Sequence, residues 1–292
     1  MTLFLQQLIN GLSIGSVYAL MAVGFSLVYS IMKFSNFAHG GVIMFGAYFG
    51  FFLMTLFGLS FVPAFIGAIL LSGLLALCVE RVAYRPLRNR RAPFLYLIIG
   101  AMGVSIFLEN LVVATVGPAF RVYPQVFSPT PIQIWGLNIV RLDLLMFVVS
   151  VAFLCVLIYI LSFTKMGKAI QATAHNPKGS ALVGINTDKI VMTVFIMGGL
   201  LAGAAGVLFG MRYAVNPQIG MITIKAFIGA VFGGLGSVPG AVVGSFLLGI
   251  IETMVAGYIS SQLRDLVSFG LLIFILVFRP AGLMGKIIED KA

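Results

Sequence analysis

Apolar residues run almost without interruption over about 8–31, 37–57, 61–79, 94–116, 142–163, 190–210, 224–235, 241–256 and 265–278, and polar residues gather in the gaps between these runs. A helix that crosses a bilayer needs about 20 predominantly apolar residues, and most of these runs supply them. Two are short, about 12 and 16 residues, and GLGSVPG separates them near the C-terminal end. Such a pair either crosses twice or forms a re-entrant hairpin or broken helix, which is tolerated where protein encloses it. The pattern predicts an all-α polytopic membrane protein of eight or nine embedded segments, organised as a single transmembrane domain over 1–292.

Composition closes off the soluble alternatives. Hydrophobic residues make up 61% of the 292 and charged residues 9%, with a mean hydropathy of +1.13. A soluble domain averages about 45–50% apolar and about 25% charged residues. Cys78 and Cys155 lie inside apolar runs at no metal-ligand spacing, so no metal or other cofactor is expected. The opening MTLFLQQLINGLSIG lacks the positive region of a cleaved signal, so the first span is expected to be retained.

Charge sets the orientation. The net charge is +10, from 18 Lys and Arg against 8 Asp and Glu. One set of gaps holds Lys33, Arg81, Arg85, Arg88, Arg90, Arg91, Lys165, Lys168, Lys178, Lys189, Arg279, Lys286 and Lys291; the other holds Arg121, Arg141, Arg212, Lys225 and Arg264. Short loops rich in Lys and Arg face the cytoplasm. With the two short segments each crossing, the N-terminus lies outside and the C-terminus inside.

The longest outer gap, 117–141, contains Pro118, Pro124, Pro129 and Pro131, which forbid a regular helix. Alternation in IQIWGLNIV predicts a β-hairpin turning at Gly136–Leu137 or Leu137–Asn138, beside Trp135. It serves either as a cap over span ends or as a docking surface for an external partner. The inner gap, 164–189, is polar and cationic. It predicts one short helix over about 166–174, stopped by Asn176–Pro177, and a second over 178–183 capped by Gly184. Its apolar face, Ala169, Ala172, Ala181, Leu182 and Val183, is too slight for a membrane anchor and suits a protein groove.

Few groups carry chemistry. Glu109, next to Asn110, and Glu252 fall within spans, and His39 opens the second. Carboxylates there are costly and mark either a hydrogen bond to a neighbouring helix or a transport path. Glycines four apart, such as Gly11/Gly15, Gly229/Gly233 and Gly236/Gly240, allow close helix packing. GLGSVPG lacks the spacing of a dinucleotide-binding turn, and Gly167–Lys168 and Gly285–Lys286 lack that of a phosphate loop. No stretch outside the membrane is long enough for a nucleotide domain, so any power for transport comes from another chain.

Four segments together resemble a known family. GKAIQATAHNPKGSALVGIN is similar, through Gly167, Ala169, Ala172, Asn176, Ala181, Gly184, Ile185 and Asn186, to the coupling loop of permeases in branched-chain amino acid ABC importers. FSNFAHGGVIMFGAYFG resembles the start of that family's second span, through Asn36, Phe37, Ala38 and His39 among others. AVFGGLGSVPGAVVGSFLLGIIE, with Gly233, Gly234, Gly236, Pro239 and Gly240, resembles its glycine-rich segment, and VFRPAGLMG its ending. In length the chain is similar to the LivH-type subunit.

The resemblance implies a permease, not an enzyme, in the bacterial inner membrane. Its partners would be a homologous second permease, two cytoplasmic ATPases and an extracytoplasmic substrate-binding protein, with no nucleic acid. Transport would proceed by alternating access, with Asn36, His39, Glu109, Asn110 and Glu252 as path candidates. Relatives within the family carry urea or short amides. A passive channel and a secondary transporter are the alternatives from other classes; the first leaves the coupling-type loop unexplained, and the second has only Glu109 and Glu252 for an ion site.

Overall fold

The computed structural model describes residues 2–285 other than 91, 129 and 135, so the expectations for Arg91, Pro129, Trp135, Lys286 and Lys291 lie outside the described residues. The helices are α1 (Thr2–Met32), α2 (His39–Thr55), α3 (Phe61–Val79, prolonged by a π turn to Tyr84), α4 (Arg85–Asn89), α5 (Phe94–Val116) and α6 (Arg141–Phe163). Next come α7 (Lys165–His175), α8 (Pro177–Leu182), α9 (Thr187–Tyr213), α10 (Thr223–Gly233), α11 (Val238–Tyr258) and α12 (Arg264–Phe278). A two-stranded sheet joins β1 (Ile132–Ile134) to β2 (Leu137–Ile139). Seven of the helices, or helix-plus-turn units, are long and apolar enough to cross a membrane; His39–Thr55 and Pro217–Gly233 are shorter apolar helices.

Polar contacts sort the connections onto two ends. At the basic end, Tyr84 donates to Asn36 Oδ1 at 2.5 Å, Arg88 bridges Glu80 and Asp188, and the Gly236 N–H donates to Ser26 Oγ at 3.1 Å. At the hairpin end, Gln6 Nε2 donates to the Asn138 carbonyl at 2.9 Å, and Arg121 and Val215 exchange backbone bonds of 2.8 and 2.7 Å. Tyr123 donates to the Ala47 carbonyl at 2.6 Å, and burial pushes its phenol far above the ordinary range. The two short C-terminal segments therefore each cross the bundle and form no re-entrant hairpin; only the first is broken, into a 3-10 turn and α10. Residues 214–216 start at the hairpin end, a 3-10 turn (Pro217–Ile222) leads into α10, and residue 236 reaches the basic end.

The hairpin turns one residue earlier than the alternation suggested: Ile134 pairs with Leu137, and Gly136 takes the turn at a φ of +79°. Leu137 and Asn138 are thereby strand residues. Lys225, which the charge count assigns to an outer gap, stands instead within α10. Its ammonium is held there by two carboxylates, so no loop is needed to expose it.

Packing follows one scheme twice. Helix α1 lies chiefly on α11 and α9 chiefly on α3, while α10 flanks α11 as α2 flanks α3. The second set runs with chain direction reversed. At these crossings backbone meets backbone: a Cβ on Gly249 would lie 2.5 Å from Gly15 Cα, and one on Gly206 would lie 2.2 Å from the Ile43 carbonyl oxygen. Between apolar helices in lipid, such close approach takes the place of the hydrophobic drive available in water. Gly249→Val is accordingly expected to force α1 and α11 apart. Folded protein recovered in mild detergent should fall severalfold, and full recovery would show that the crossing can yield.

Candidate functional site

Both short helices begin well inside the bundle. Residues 33–38 turn back from the end of α1, so that His39 Nε2 lies 3.2 Å from the Met21 carbonyl, far up α1. From the other end, 214–222 descend until Gly220 meets Gly40; a Cβ on Gly220 would lie 2.8 Å from the Gly40 carbonyl oxygen. Two discontinuous helices thus meet within the bundle, where transporters place their binding sites.

Beside this meeting point lies a cavity of about 320 Å³. Its walls are largely apolar: Met44 from α2, Met102 and Ile106 from α5, and Met221 and Ile224 from the broken helix. Three polar residues line it, Ser105 and Glu109 one turn apart on α5, and Thr223 at the start of α10, whose hydroxyl is packed at Gly40. Among the described residues Glu109 has neither an ion-pair nor a hydrogen-bond partner, and buried Thr223 Oγ1 has no hydrogen-bond partner. Asn110 points elsewhere and donates to the Ile106 carbonyl of its own helix at 2.8 Å.

The other path candidates are bonded into the scaffold. Asn36 is buried and accepts from Tyr84, while His39 is buried against α1. Glu252 is 1% exposed: one oxygen accepts from Tyr18 at 3.0 Å, and the other meets Lys225 Nζ at 2.6 Å and the Ser268 hydroxyl. Lys225 also reaches Asp265 at 2.7 Å. The structure therefore brings Glu109 to a cavity with Ser105 and Thr223, and ties Glu252 to three helices. Neither Ser105, Thr223 nor Lys225 stood out in the sequence. A hydroxyl at the start of α10 and a lysine within an apolar run were the available signals.

Residues 164–189 form two short helices at the basic end. Thr164 caps α7 by accepting from the Gly167 N–H at 3.1 Å, and Asn176 caps α8 by accepting from the Gly179 N–H at 2.9 Å. Gly167 is buried where a Cβ would strike the Ile160 carbonyl oxygen at 2.3 Å, so α7 is pressed against the end of α6. Ala169 and Ile185 pack against the core, whereas Ala172 and Ala181 face outward. Leu182 and Val183 are 89% and 76% exposed, and Gly184 follows at a φ of +86°.

The glycine-rich turn is interlocked with the chain's end. A Cβ on Gly233 would lie 1.8 Å from the Gly240 carbonyl oxygen, so α10 and α11 touch along their backbones. Gly234 and Gly236 take φ values of +116° and +83°, and Pro239 sits in the first turn of α11. The Leu283 and Met284 N–H groups donate to the Phe232 and Gly233 carbonyls at 3.0 and 2.9 Å, satisfying acceptors that the end of α10 leaves free.

The motif segments that carried the resemblance are thus built into one scaffold. Residues 7–276 match the family model described as the permease component of the branched-chain amino acid transport system. The chain belongs to this family. It is 42% identical to the high-affinity branched-chain amino acid transport system permease protein BraD of Pseudomonas aeruginosa, over 97% of this chain and 96% of that one. To the corresponding permease protein LivH of Escherichia coli strain K12 it is 39% identical, again over 97% and 96%. Among solved structures, PsaBC from Streptococcus pneumoniae in complex with Fab shares the fold, with a TM-score of 0.52 at 16% identity over 95% of this chain and 92% of that one. The permease is a multi-pass membrane transport subunit.

Proposed function

We propose that the permease is one half of the membrane channel of an ATP-driven importer for branched-chain amino acids in the bacterial cytoplasmic membrane. The observation that carries this reading is the apolar tip of α8. Leu182 and Val183 project from a helix pair whose other face is pressed against the bundle. An aliphatic knob at the basic end, too small to hold a membrane, suits a groove on a cytoplasmic ATPase. A second such loop would come from a homologous permease, giving one for each of two ATPases.

The coupling then follows from rigid connections. Closure of the ATPases moves α8, and α7 passes that motion to α6 through the contact at Gly167. Helix α9 receives it directly, because Asn186 caps its first turn by accepting from the Lys189 N–H at 3.0 Å. Rigid-body motion of packed helices is the form that alternating access takes. At the opposite end, the hairpin and 117–125 offer the docking face for an extracytoplasmic binding protein. Helix α5 is among the least covered spans, and its Glu109 at membrane depth is too costly to leave against lipid. A second permease covers that face. The apolar walls beside Glu109 favour an aliphatic amino acid over urea or a short amide.

The test is reconstitution with the partner subunits in proteoliposomes, measuring ATP-dependent uptake of labelled leucine delivered by the binding protein. Orientation is checked in cells with single cysteines at Asn89, Lys178 and Gln133, all exposed, after removal of Cys78 and Cys155. An impermeant thiol reagent should label only position 133 from outside. Labelling at 178 from outside would remove the ATPases from this loop.

A further inference from the structure

We propose that the cavity between α2, α5 and the broken helix is a binding site for a zwitterionic aliphatic amino acid, with the ammonium on Glu109 and the carboxylate on the hydroxyls of Thr223 and Ser105. This rests on the import of amino acids proposed above and assigns the substrate a place within this chain. Four observations converge. The volume, about 320 Å³, lies at the lower end of the range of small-ligand pockets, about 300–1,000 Å³. The walls supply Met44, Met102, Ile106 and Ile224, the flexible apolar surface that a branched side chain needs. Glu109 is a carboxylate without a counter-charge among the described residues, so it can receive an ammonium at no cost in broken ion pairs.

The fourth is Thr223. It is 3% exposed and lines the cavity, and its Oγ1, packed at Gly40, has no partner among the described residues, so that a turn about χ1 presents it to a ligand. A buried hydroxyl without a partner is costly, and a ligand that fills the cavity relieves that cost. The anionic end also lies toward the positive end of the Pro217–Gly233 helix, since Pro217 lines the same cavity. A passing substrate must bind weakly enough to leave. One charge-assisted contact, two hydroxyls and one open side meet that need.

The experiment uses the reconstituted wild-type complex and photo-leucine, the diazirine analogue, with mass spectrometry of the attachment site. Cross-links are expected within 102–109 or 217–224, and leucine should compete for them whereas 4-methylpentanoate, which lacks the ammonium, should not. Glu109→Gln keeps the shape and removes the charge, and should cut both the cross-link yield and leucine uptake by about tenfold or more, the usual scale for losing a charged hydrogen bond. Thr223→Val should lower both severalfold, with ATPase co-purification unchanged in each variant. Leucine uptake with cross-links only elsewhere overturns the site and leaves the import reading standing, as does equal competition by 4-methylpentanoate. Absence of leucine uptake by the wild-type complex overturns the import reading, and the site falls with it.

Discussion

Lys225→Met is expected to destabilise the permease more than any other single change at a polar position. The ammonium lies 2.6 Å from Glu252 Oε1 and 3.1 Å from Ser268 Oγ, with its side chain 12% exposed. Removing it leaves the Glu252 carboxylate, 1% exposed, with only the hydroxyls of Tyr18 and Ser268. Breaking a buried ion pair on one side costs about 3–5 kcal/mol, because a charge stays behind without compensation. Net stabilities are only about 5–15 kcal/mol, so the loss is a large share of the total. The exposed end of the network matters less: Asp265 is 74% exposed, and Asp265→Asn should cost well under 1 kcal/mol.

A double variant separates charge from shape. Lys225→Met with Glu252→Gln removes both charges and keeps the hydroxyl contacts to Tyr18 and Ser268, so most of the loss should return. Thermal unfolding in detergent, followed by size-exclusion chromatography, reads the difference directly. A single variant as stable as the wild type would mean that Glu252 is held neutral and that the lysine is dispensable.

Glu109 and Glu252 show where sequence reasoning stops. Each is a lone carboxylate in an apolar run, and nothing nearby in the chain distinguishes them. The residues around them lie far off in sequence: Lys225 and Tyr18 bond to Glu252, and Thr223 lines the same cavity as Glu109. Only the fold brings an α10 lysine under one carboxylate and leaves the other facing open space. What was legible depended on neighbours in the chain. The two helices of 164–189 follow local capping rules, and Lys165–His175 and Pro177–Leu182 match the bounds read from Asn176–Pro177 and Gly184 within two residues. The hairpin was legible for the same reason. Its turn slipped by one residue because Gly136, with a φ of +79°, is what the turn requires. That α2 and the 217–233 unit meet inside the bundle was hidden because the cause is tertiary. Gly40 and Gly220 are there to let backbones cross, and the sequence offers 34 glycines to choose from.

The second large effect belongs to assembly and leaves the fold alone. Leu182→Asp is expected to abolish co-purification of the ATPases and ATP-driven uptake, while thermal unfolding of the isolated permease stays within about 1 °C of the wild type. The reasoning turns on what the side chain touches. At 89% exposure Leu182 has almost no contacts within the chain, and α8 is held by its Asn176 cap and the Ser180 side, not by its tip. Fully burying a Leu side chain contributes about 1.5–3 kcal/mol. A carboxylate in the same groove adds the cost of burying a charge. The two terms together weaken ATPase binding by a factor of about a thousand or more, at about 1.4 kcal/mol per factor of ten. Ala181→Arg, one residue earlier on the same exposed end, should act in the same direction through bulk and charge. Lys178→Ala, on the same helix but polar and exposed, is the control and should change both readouts little. Normal ATPase recovery and uptake with Leu182→Asp would show that the tip of α8 is not the contact, and would move the coupling surface to α7 or to the Arg81–Arg90 segment.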